Sequence, residues 1–235
     1  MYSKLSIAYL CLYFEHTMSY KAIIIGASGL IGSELLRKIS ESDDFNEIVI
    51  ITRRSLDIYS NKVRQVLIDF DHLDDIRQEI SGDFIFSCLG STKGKTPDAA
   101  LYRKIELDYT LKIARIGLDN GVKQFHFVSS LGADYSSSNS YLKLKGEVEL
   151  ELKKLSFEGL HIYQPSYLTG NRQEKRIDDR IMRPLMLVLD NLLIGKLKKY
   201  KSIAAETVAK AMLKQSLKNN KGTFTYPSDI IKQLA

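Results

Sequence analysis

Cysteine is scarce in this chain of 235 residues, which contains only Cys11 and Cys88, and histidine occurs only four times. Two cysteines without a C-x-x-C pair do not support a disulfide framework, and so few ligating side chains do not support a zinc site. We therefore expect no metal centre, and we predict a reducing compartment, the cytoplasm.

A surface of one charge sign is also missing, although the formal net charge is +6. The 34 Lys and Arg residues are mixed with 28 Asp and Glu residues, so no large positive field is expected and nucleic acid is not a predicted partner. The densest basic run, residues 196–201, is interpreted as a solvated helix end or loop. A weak contact with a membrane surface or a polyanion is the alternative.

No apolar run is long enough to cross a bilayer, so no transmembrane segment is predicted. Residues 5–14 are apolar, but Glu15 and His16 interrupt the run and no small-residue cleavage site of a signal peptide follows. Met18 stands just before the first predicted strand. We expect translation to start there, with residues 1–17 as an extension without function; a short membrane-associating helix is the alternative.

One glycine-punctuated turn is present, in the sequence IIIGASGLIG at residues 23–32. It predicts a buried strand, a turn and then a helix, in which Gly26 makes the tight turn, Gly29 lets a ligand approach and Gly32 packs helix on strand. Bare N–H groups there would face a pyrophosphate, with the positive end of the helix behind them. The spacing is G-x-x-G-x-x-G rather than G-x-G-x-x-G, so a turn that serves only packing is the alternative.

An amphipathic helix over residues 33–42 and a β-branched strand over residues 47–52 complete a β-α-β unit. In NAD-binding relatives of this fold, an acidic residue after the second strand holds the ribose 2′-hydroxyl. Arg53 and Arg54 stand at that place here, and a guanidinium makes bidentate bonds to phosphate. We therefore predict NADP(H) as the preferred cofactor, with NAD(H) possible; ordinary surface arginines are the alternative.

Strand and helix patterns alternate along the rest of the chain. Strands are predicted over 62–70, 83–88 and 124–128, and helices over 102–119 and, as the last one, 204–217. This order predicts a single α/β domain over residues 18–235, a Rossmann-like doubly wound parallel sheet that binds NAD(P), with a small substrate-side region near its C-terminus.

The carboxyl ends of the third and fourth strands carry further candidates. Asp69 is a candidate acceptor for the adenine amino group, whereas Asp71 or Asp74 is expected to cap the helix that follows. At the fourth strand, the Gly90 backbone is expected along the cofactor ribose, before a polar loop at residues 93–97. The cofactor-binding candidates in these two segments are Asp69, Phe70, Leu89, Gly90 and Ser91.

Tyr141 and Lys145 are four residues apart, so a helix places them on the same face. With thirteen tyrosines and many lysines, about one such pair is expected by chance, and this is the only one in the chain. Its position adds weight, because it follows the Ser129-Ser130 pair at the end of the fifth strand. Catalytic chemistry is therefore expected here, after the nucleotide-binding turn in chain order.

This constellation resembles the short-chain dehydrogenase/reductase superfamily. Three blocks resemble its atypical branch, which contains the Tat-interacting-protein oxidoreductases: FSCLGSTKGK at 86–95, VSSLGAD at 128–134 and YLKLKGEVE at 141–149. QPSYLTGNR at 164–172 is similar to the segment that passes the nicotinamide in this branch.

The resemblance implies an NADP(H)-dependent oxidoreductase that acts on an unidentified carbonyl or alcohol. Tyr141 would donate a proton to the carbonyl oxygen, Lys145 would stabilise the tyrosinate and bind the nicotinamide ribose, and Ser130 would hold the substrate oxygen. Ser129 competes with Ser130 for that role. The cofactor-binding residues that the turn and the resemblance imply, beside Gly26, Gly29, Gly32 and those at the other strand ends, are Ser28, Leu30, Ile31, Tyr141, Lys145, Pro165, Tyr167 and Leu168.

One feature departs from the superfamily. Many members place an active-site asparagine on the helix before the fifth strand, and residues 105–108 contain none. We therefore expect an altered proton relay.

A nucleotide-sensing interaction protein is the alternative function, because relatives in this branch often have no established substrate. It would bind NADP(H) at the same turn, and occupancy would bias residues 176–201 toward or away from a protein partner. Met182, Met186 and the apolar run 185–193 follow a helical pattern there. Core packing or the lining of a substrate pocket explains such residues more often than a partner groove does.

Overall fold

The structure, a computed structural model, describes residues 19–92, 94–170, 190 and 193–235. The predicted N-terminal extension, residues 1–17, lies outside the described residues together with Met18. Met182, Met186 and most of the 176–201 segment also lie outside them.

Nine parallel-paired strands are found in the described part of the chain. They are β1 (Tyr20–Ile25), β2 (Phe45–Thr52), β3 (Val63–Leu67), β4 (Phe84–Ser87), β5 (Gln124–Val128), β6 (Gly159–Gln164), β7 (Leu168–Thr169), β8 (Ile203–Ala204) and β9 (Gly222–Pro227). Seven of them form one sheet in the order β3-β2-β1-β4-β5-β6-β9, and β7 pairs only with β8. The strand order reverses between β1 and β4, which opens a crevice at the carboxyl ends of these strands.

Helices cover both faces of the sheet. They are α1 (Leu30–Glu41), α2 (Ala99–Arg103), α3 (Tyr109–Asp119), α4 (Ser140–Lys153), α5 (Ala205–Ser216) and α6 (Ser228–Leu234). Two 3₁₀ segments, Phe70–Glu79 and Gly195–Tyr200, connect other elements, and a π turn at Lys104–Asp108 joins α2 to α3. The predicted doubly wound, Rossmann-like fold of a single domain is confirmed.

The apolar strands follow from this two-sided cover. In β1, Ile23 and Ile25 lie in a core with α3 and α4, whereas Ala22 and Ile24 lie in a second core with α1 and α5. Successive strand residues point to opposite faces, so a strand covered on both faces is apolar throughout. This is why the predicted strands at the centre of the sheet are the clearest in the sequence.

The prediction that residues 204–217 form the last helix is wrong, because β9 and α6 follow α5. β9 pairs in parallel with β6 along its whole length. Three of its six residues are exposed, and Tyr226 is the one strand residue that is buried. An edge strand of this kind lacks the apolar run that makes a central strand visible in sequence.

The third strand is shorter than predicted, since it ends at Leu67 instead of residue 70. Asp69 ends it by capping the 3₁₀ segment: its carboxylate accepts a hydrogen bond from the Asp71 N–H at 3.1 Å. The expectation that Asp71 or Asp74 caps this helix is therefore wrong. Those two carboxylates form ion pairs across the surface with Lys104 and Lys112 of the following helical segment.

None of the helices in the described ranges is long and apolar enough to cross a membrane. Within the same ranges, no three His, Cys, Asp or Glu side chains are grouped so that they could hold a metal ion.

A row of stacked rings crosses the sheet on the side of α1 and α5. The rings of His126 and His161 are fully buried, with centroids 4.5 Å apart and planes 4° apart, and Phe224 continues the stack at 5.1 Å. Each Nδ1 contacts a tyrosine hydroxyl, that of Tyr163 at 3.1 Å and that of Tyr226 at 3.0 Å. Burial lowers the pKa of both imidazoles, that of His161 to about 4.

We predict that these histidines make the protein less stable in mild acid. Unfolded histidine binds a proton below about pH 6.5, whereas buried His161 stays neutral down to about pH 4, so the free energy of unfolding falls as the pH falls through this window. One such group contributes up to about 1.4 kcal/mol per pH unit. His161→Phe should therefore weaken the pH dependence, as measured by urea unfolding at about pH 7 and about pH 5.

His72→Gln is the matched control, because the side chain of His72 is 66% exposed. This variant should keep the pH dependence of the unchanged protein. If His161→Phe kept it as well, the assignment to the stacked histidines would be wrong.

Candidate functional site

The turn between β1 and α1 is built by direct contact of backbone with backbone. Gly26 has φ +78°, and a Cβ there would lie 2.5 Å from the Cys88 carbonyl oxygen. A Cβ on Gly32 would lie 2.1 Å from the Gly26 carbonyl oxygen, and the Gly29 N–H donates to that same oxygen at 2.9 Å. Only glycine fits at positions 26 and 32, so the turn can bring backbone close to backbone at both places.

This turn is suited to a phosphate group. Gly29 precedes α1 as its cap residue and supplies no side chain, so the first N–H groups of the helix, at 30–32, have no partner within it. They lie at the positive end of the helix dipole, with no acidic residue in the first turn. Ser28 is exposed beside them, whereas the Ile31 side chain is buried and leaves only its backbone for a ligand.

Two exposed guanidiniums stand next to this turn. β1 pairs with β2 so that Ile25 lies opposite Ile51, and the chain then continues through Thr52 to Arg53 and Arg54. The Thr52 hydroxyl donates to the Arg54 carbonyl at 2.9 Å and fixes the bend. Within the described ranges no carboxylate forms an ion pair with either arginine, so both can accept an anion.

Asp69 and Phe70, the two residues predicted on the adenine side of the cofactor, differ in exposure. The Asp69 carboxylate is exposed but already accepts the capping hydrogen bond from Asp71. The Phe70 side chain is 4% exposed and packs on Tyr109, with ring centroids 5.4 Å apart, so it belongs to the core. The Phe70 side chain therefore packs in the core, and Phe70 as a cofactor contact stays a prediction.

The end of β4 lies directly against the glycine turn, because Gly26 contacts the Cys88–Leu89 peptide. Leu89 is half-buried, Gly90 is exposed and Ser91 is half-buried. The Ser91 N–H donates to Glu106 Oε1 at 2.7 Å, and its hydroxyl lies 2.7 Å from Thr96 Oγ1. Both contacts hold this strand end in place.

Tyr141 and Lys145 lie in the first turns of α4, as predicted. Asn139 begins the helix by accepting hydrogen bonds from the N–H groups of Tyr141 and Leu142, at 3.0 and 3.2 Å. Tyr141 is half-buried, and Lys145 is 4% exposed. The Lys145 ammonium donates to the Val128 carbonyl at 3.2 Å, where β5 ends.

A buried carboxylate compensates the charge of Lys145. Glu106 Oε2 lies 2.8 Å from Lys145 Nζ, and the ammonium also lies 4.9 Å above the Phe127 ring. Burial alone lowers the pKa of Lys145, but the charge of Glu106 and smaller contributions from Tyr141 and Glu149 outweigh it, so this pKa is raised above its ordinary value. Lys145 is therefore a charged ammonium at neutral pH.

The two serines after β5 have different surroundings. Ser129 is buried, and its hydroxyl donates to Glu149 Oε1 at 2.5 Å; the same oxygen accepts from Gln164 Nε2 at 2.9 Å. Ser130 is half-buried and lies outside this network. The geometry therefore favours Ser130 over Ser129 as the serine that faces a ligand.

The segment after β6 returns to the glycine turn. Pro165 is buried and its carbonyl accepts from the Leu131 N–H at 3.0 Å, while Tyr167 and Leu168 are half-buried. A Cβ on Gly170 would lie 2.9 Å from Leu30 Cδ1. The strand ends that carry the candidates thus meet at one edge of the sheet.

Two buried acids, Glu106 and Glu149, were not among the predicted site residues. In the helix predicted over residues 102–119, Glu106 lies four residues after Tyr102 and four before Thr110, and both of these are buried. An acid on the buried side of this helix could therefore have indicated a functional residue. Glu149 lies four residues after Lys145, on the same face of α4.

Comparison with known proteins places the chain among nucleotide-binding proteins. A family model described as NAD(P)H-binding matches residues 26–218. Protein HTATIP2 of Rattus norvegicus is 37% identical over 174 residues, which cover 72% of each protein. Protein FMP52, mitochondrial, of Coccidioides immitis is 31% identical over 217 residues, which cover 85% of this chain and 87% of that protein.

Solved structures agree in fold. The oxidoreductase ylbE of Lactococcus lactis is 19% identical with a TM-score of 0.62, over 91% of this chain and 94% of that one. A UDP-N-acetylglucosamine 4-epimerase of Methanobrevibacter ruminantium is 17% identical with a TM-score of 0.68, over 89% of this chain and 76% of that one. At these identities the likeness supports the fold alone.

We predict that Gly26→Ala weakens NADPH binding by at least about tenfold and lowers the melting temperature, because the new Cβ strains a left-handed residue and meets the Cys88 carbonyl. NADPH fluorescence titration and thermal unfolding measure the two effects. Gly94→Ala is the matched control, since its Cβ would have no neighbour nearer than 4.0 Å. Equal NADPH affinity in both variants would contradict a role of the turn in binding.

Proposed function

Since the chain belongs to the NAD(P)H-binding family, we propose that it is an NADP(H)-dependent oxidoreductase of the atypical short-chain dehydrogenase/reductase type, acting on a carbonyl or alcohol. One observation carries the proposal: a charged, buried lysine lies one helical turn after Tyr141, at the sheet edge where the glycine turn lies. A charged lysine at this position can stabilise the tyrosinate form of an acid-base tyrosine. Packing alone does not explain a buried charge, because burial of a charged side chain is unfavourable.

The residues present fit a dinucleotide, because the close packing of the glycine turn brings the end of β4 next to the start of α1, whose first N–H groups have no side-chain cap. The N–H groups at 30–32, with Ser28, would hold the pyrophosphate, and Arg53 and Arg54 would hold the 2′-phosphate. Asp69 and the backbone of Phe70 would border the adenine. The backbone at 89–91 and the segment at 165–168 would line the ribose and nicotinamide sides.

In this proposal the bound nicotinamide supplies or accepts the hydride, and the protein handles the proton. Ser130 holds the substrate oxygen, and the Tyr141 hydroxyl gives its proton to that oxygen when a carbonyl is reduced. Lys145 stabilises the tyrosinate that remains and contacts the nicotinamide ribose. The roles reverse when an alcohol is oxidised.

We propose that the domain spans residues 18–235, with a small substrate-side region near its C-terminus. Cytoplasmic location remains our proposal, although FMP52 relatives are named mitochondrial. Fractionation of cells that express the tagged full chain tests the location.

Cofactor preference is tested by the Arg53→Ala/Arg54→Ala double variant. We expect the unchanged protein to bind NADPH more tightly than NADH. The double variant should lose at least about tenfold in NADPH affinity with little change for NADH, because only NADPH carries the 2′-phosphate. Fluorescence titration with both nucleotides measures this.

Lys123→Ala/Lys221→Ala is the charge-matched control for this experiment. Both lysines precede strands, β5 and β9, so they lie at the opposite edge of the sheet, and both are exposed. This control should keep the preference for NADPH. A similar loss in both double variants would reduce the effect to net charge and count against an arginine site.

Catalysis is tested with Tyr141→Phe. The variant should bind NADPH as the unchanged protein does but lose at least about a hundredfold in turnover, because the phenyl ring has no proton to give. The assay follows NADPH oxidation with a panel of aldehydes and ketones. Tyr135→Phe is the control, because Tyr135 is a nearby tyrosine that is 59% exposed, and it should leave turnover unchanged.

Two results would contradict this assignment. Full turnover by Tyr141→Phe would remove the tyrosine from the chemistry. NADPH binding without turnover of any substrate in the panel would instead favour the nucleotide-sensing protein over the enzyme.

A further inference from the structure

Glu106 lies in the protein interior, where a carboxylate loses its hydration. It is 1% exposed and lies in the π turn at Lys104–Asp108, which departs from the regular helix on either side. A single π turn within an α-helix re-aims side chains and is frequent at functional sites. Burial of a carboxylate requires compensating partners, and Glu106 has two of them.

Its two oxygens contact two different parts of the candidate site. Oε1 accepts the Ser91 N–H at 2.7 Å, at the strand end beside the glycine turn. Oε2 lies 2.8 Å from the Lys145 ammonium on α4. One carboxylate thus connects the backbone expected along the cofactor ribose with the lysine expected to bind that ribose.

We propose that Glu106 is a positioning residue for the reaction. Its carboxylate keeps the Lys145 ammonium charged and holds it in position, and it also holds the Gly90–Ser91 backbone in place beside that ammonium. It would thereby stand in for the asparagine that this helix lacks. The inference rests on the proposed function, since it gives Lys145 and Gly90 the roles stated above.

The geometry limits what the ammonium can do. A lysine has three N–H donors; one goes to the Val128 carbonyl at 3.2 Å, and Glu106 Oε2 lies 2.8 Å from the ammonium as its ion-pair partner. The carbonyl and the carboxylate together hold the ammonium in place, where it can also donate to Tyr141 or to a ribose hydroxyl. Preorganisation of this kind is what a proton-transfer site requires.

The other groups that face Lys145 cannot replace Glu106. Glu149 interacts with the ammonium more weakly and already accepts from Ser129 and Gln164. Cys88 faces it from β4, but burial raises the pKa of that thiol to about 12 and keeps it neutral. Tyr141 also faces the ammonium, but it is the group whose tyrosinate Lys145 is proposed to stabilise. Without Glu106, burial would lower the pKa of Lys145, so the lysine would lose its proton at a lower pH.

The experiment compares the pH dependence of NADPH affinity in Glu106→Gln and in the unchanged protein. The NADPH affinity of the unchanged protein should vary less than about twofold between pH 7 and 9, because Lys145 stays charged. Glu106→Gln should bind at least about tenfold more weakly at pH 9 than at pH 7, because the buried ammonium deprotonates. Where a substrate is found, the alkaline limb of kcat/KM should shift in the same direction.

Glu147→Gln is the matched control. Glu147 pairs with Arg103 across the same two helical segments but is partly exposed and lies outside the site. It should keep the pH profile of the unchanged protein. A profile in Glu106→Gln that matches this control would overturn the proposal.

Two further variants separate positioning from folding. Glu106→Asp keeps the negative charge but shortens the side chain by one methylene, so the carboxylate lies further from the Lys145 ammonium. This variant should keep the flat pH profile but lose a few-fold in NADPH affinity. If Glu106→Gln fails to fold, Glu106→Gln/Lys145→Gln should recover the melting temperature, because it removes both buried charges. An aspartate variant that binds as the unchanged protein does, or a double variant as unstable as the single one, would count against the role.

Failure of this inference and failure of the proposed function give different results. If the unchanged protein does not bind NADPH, the proposed function fails. If it binds NADPH and Glu106→Gln follows the same pH profile, only the role of Glu106 fails.

Discussion

Backbone packs against backbone where Gly26 meets the Cys88–Leu89 peptide, and the geometry of the whole crevice depends on that contact. A Cβ at Gly26 would overlap the Cys88 carbonyl, so β1 and β4 can end side by side only with glycine there. These are the strands at which the sheet order reverses. The contact therefore sets how closely the α1 N-terminus and the backbone at 89–91 can approach one ligand.

The second constraint is electrostatic. Lys145 and Glu106 are both almost fully buried, on a sheet face that is packed largely with apolar side chains such as Phe127. Two buried charges contribute little net stability, because their attraction is offset by the loss of hydration. The pair is thus better explained by what it holds in place than by the stability of the fold.

Much of the architecture was predictable because it depends on periodicity. The continuous apolar run of β1 indicates helices on both faces, and the glycines at 26, 29 and 32 indicate a turn into a helix. Other features depend on contacts between distant residues, which no local pattern encodes. The pairing of β9 with β6 supports a strand that has only one buried residue. The cap of the 3₁₀ segment is instead a local choice among neighbouring acids, and Asp69 is the cap where Asp71 or Asp74 was predicted.

The site was predictable in part for the same reason. The four-residue spacing of Tyr141 and Lys145 is local, so the sequence could place both on α4. Glu106 is a different case, because its partners are 15 and 39 positions away, at Ser91 and Lys145, and it reaches them from a π turn. No local pattern in this stretch therefore shows that Glu106 contacts the candidate site.

The two faces of β5 separate two kinds of pH response. Phe127 lies beneath the Lys145 ammonium on one face, while His126 of the same strand stacks with His161 on the other. Burial keeps the imidazoles neutral, whereas the Glu106 carboxylate keeps the ammonium charged. Acid should therefore act on the stability of the fold through the histidine face. Alkali should act on the site through the lysine face, because successive strand residues point to opposite sides of the sheet.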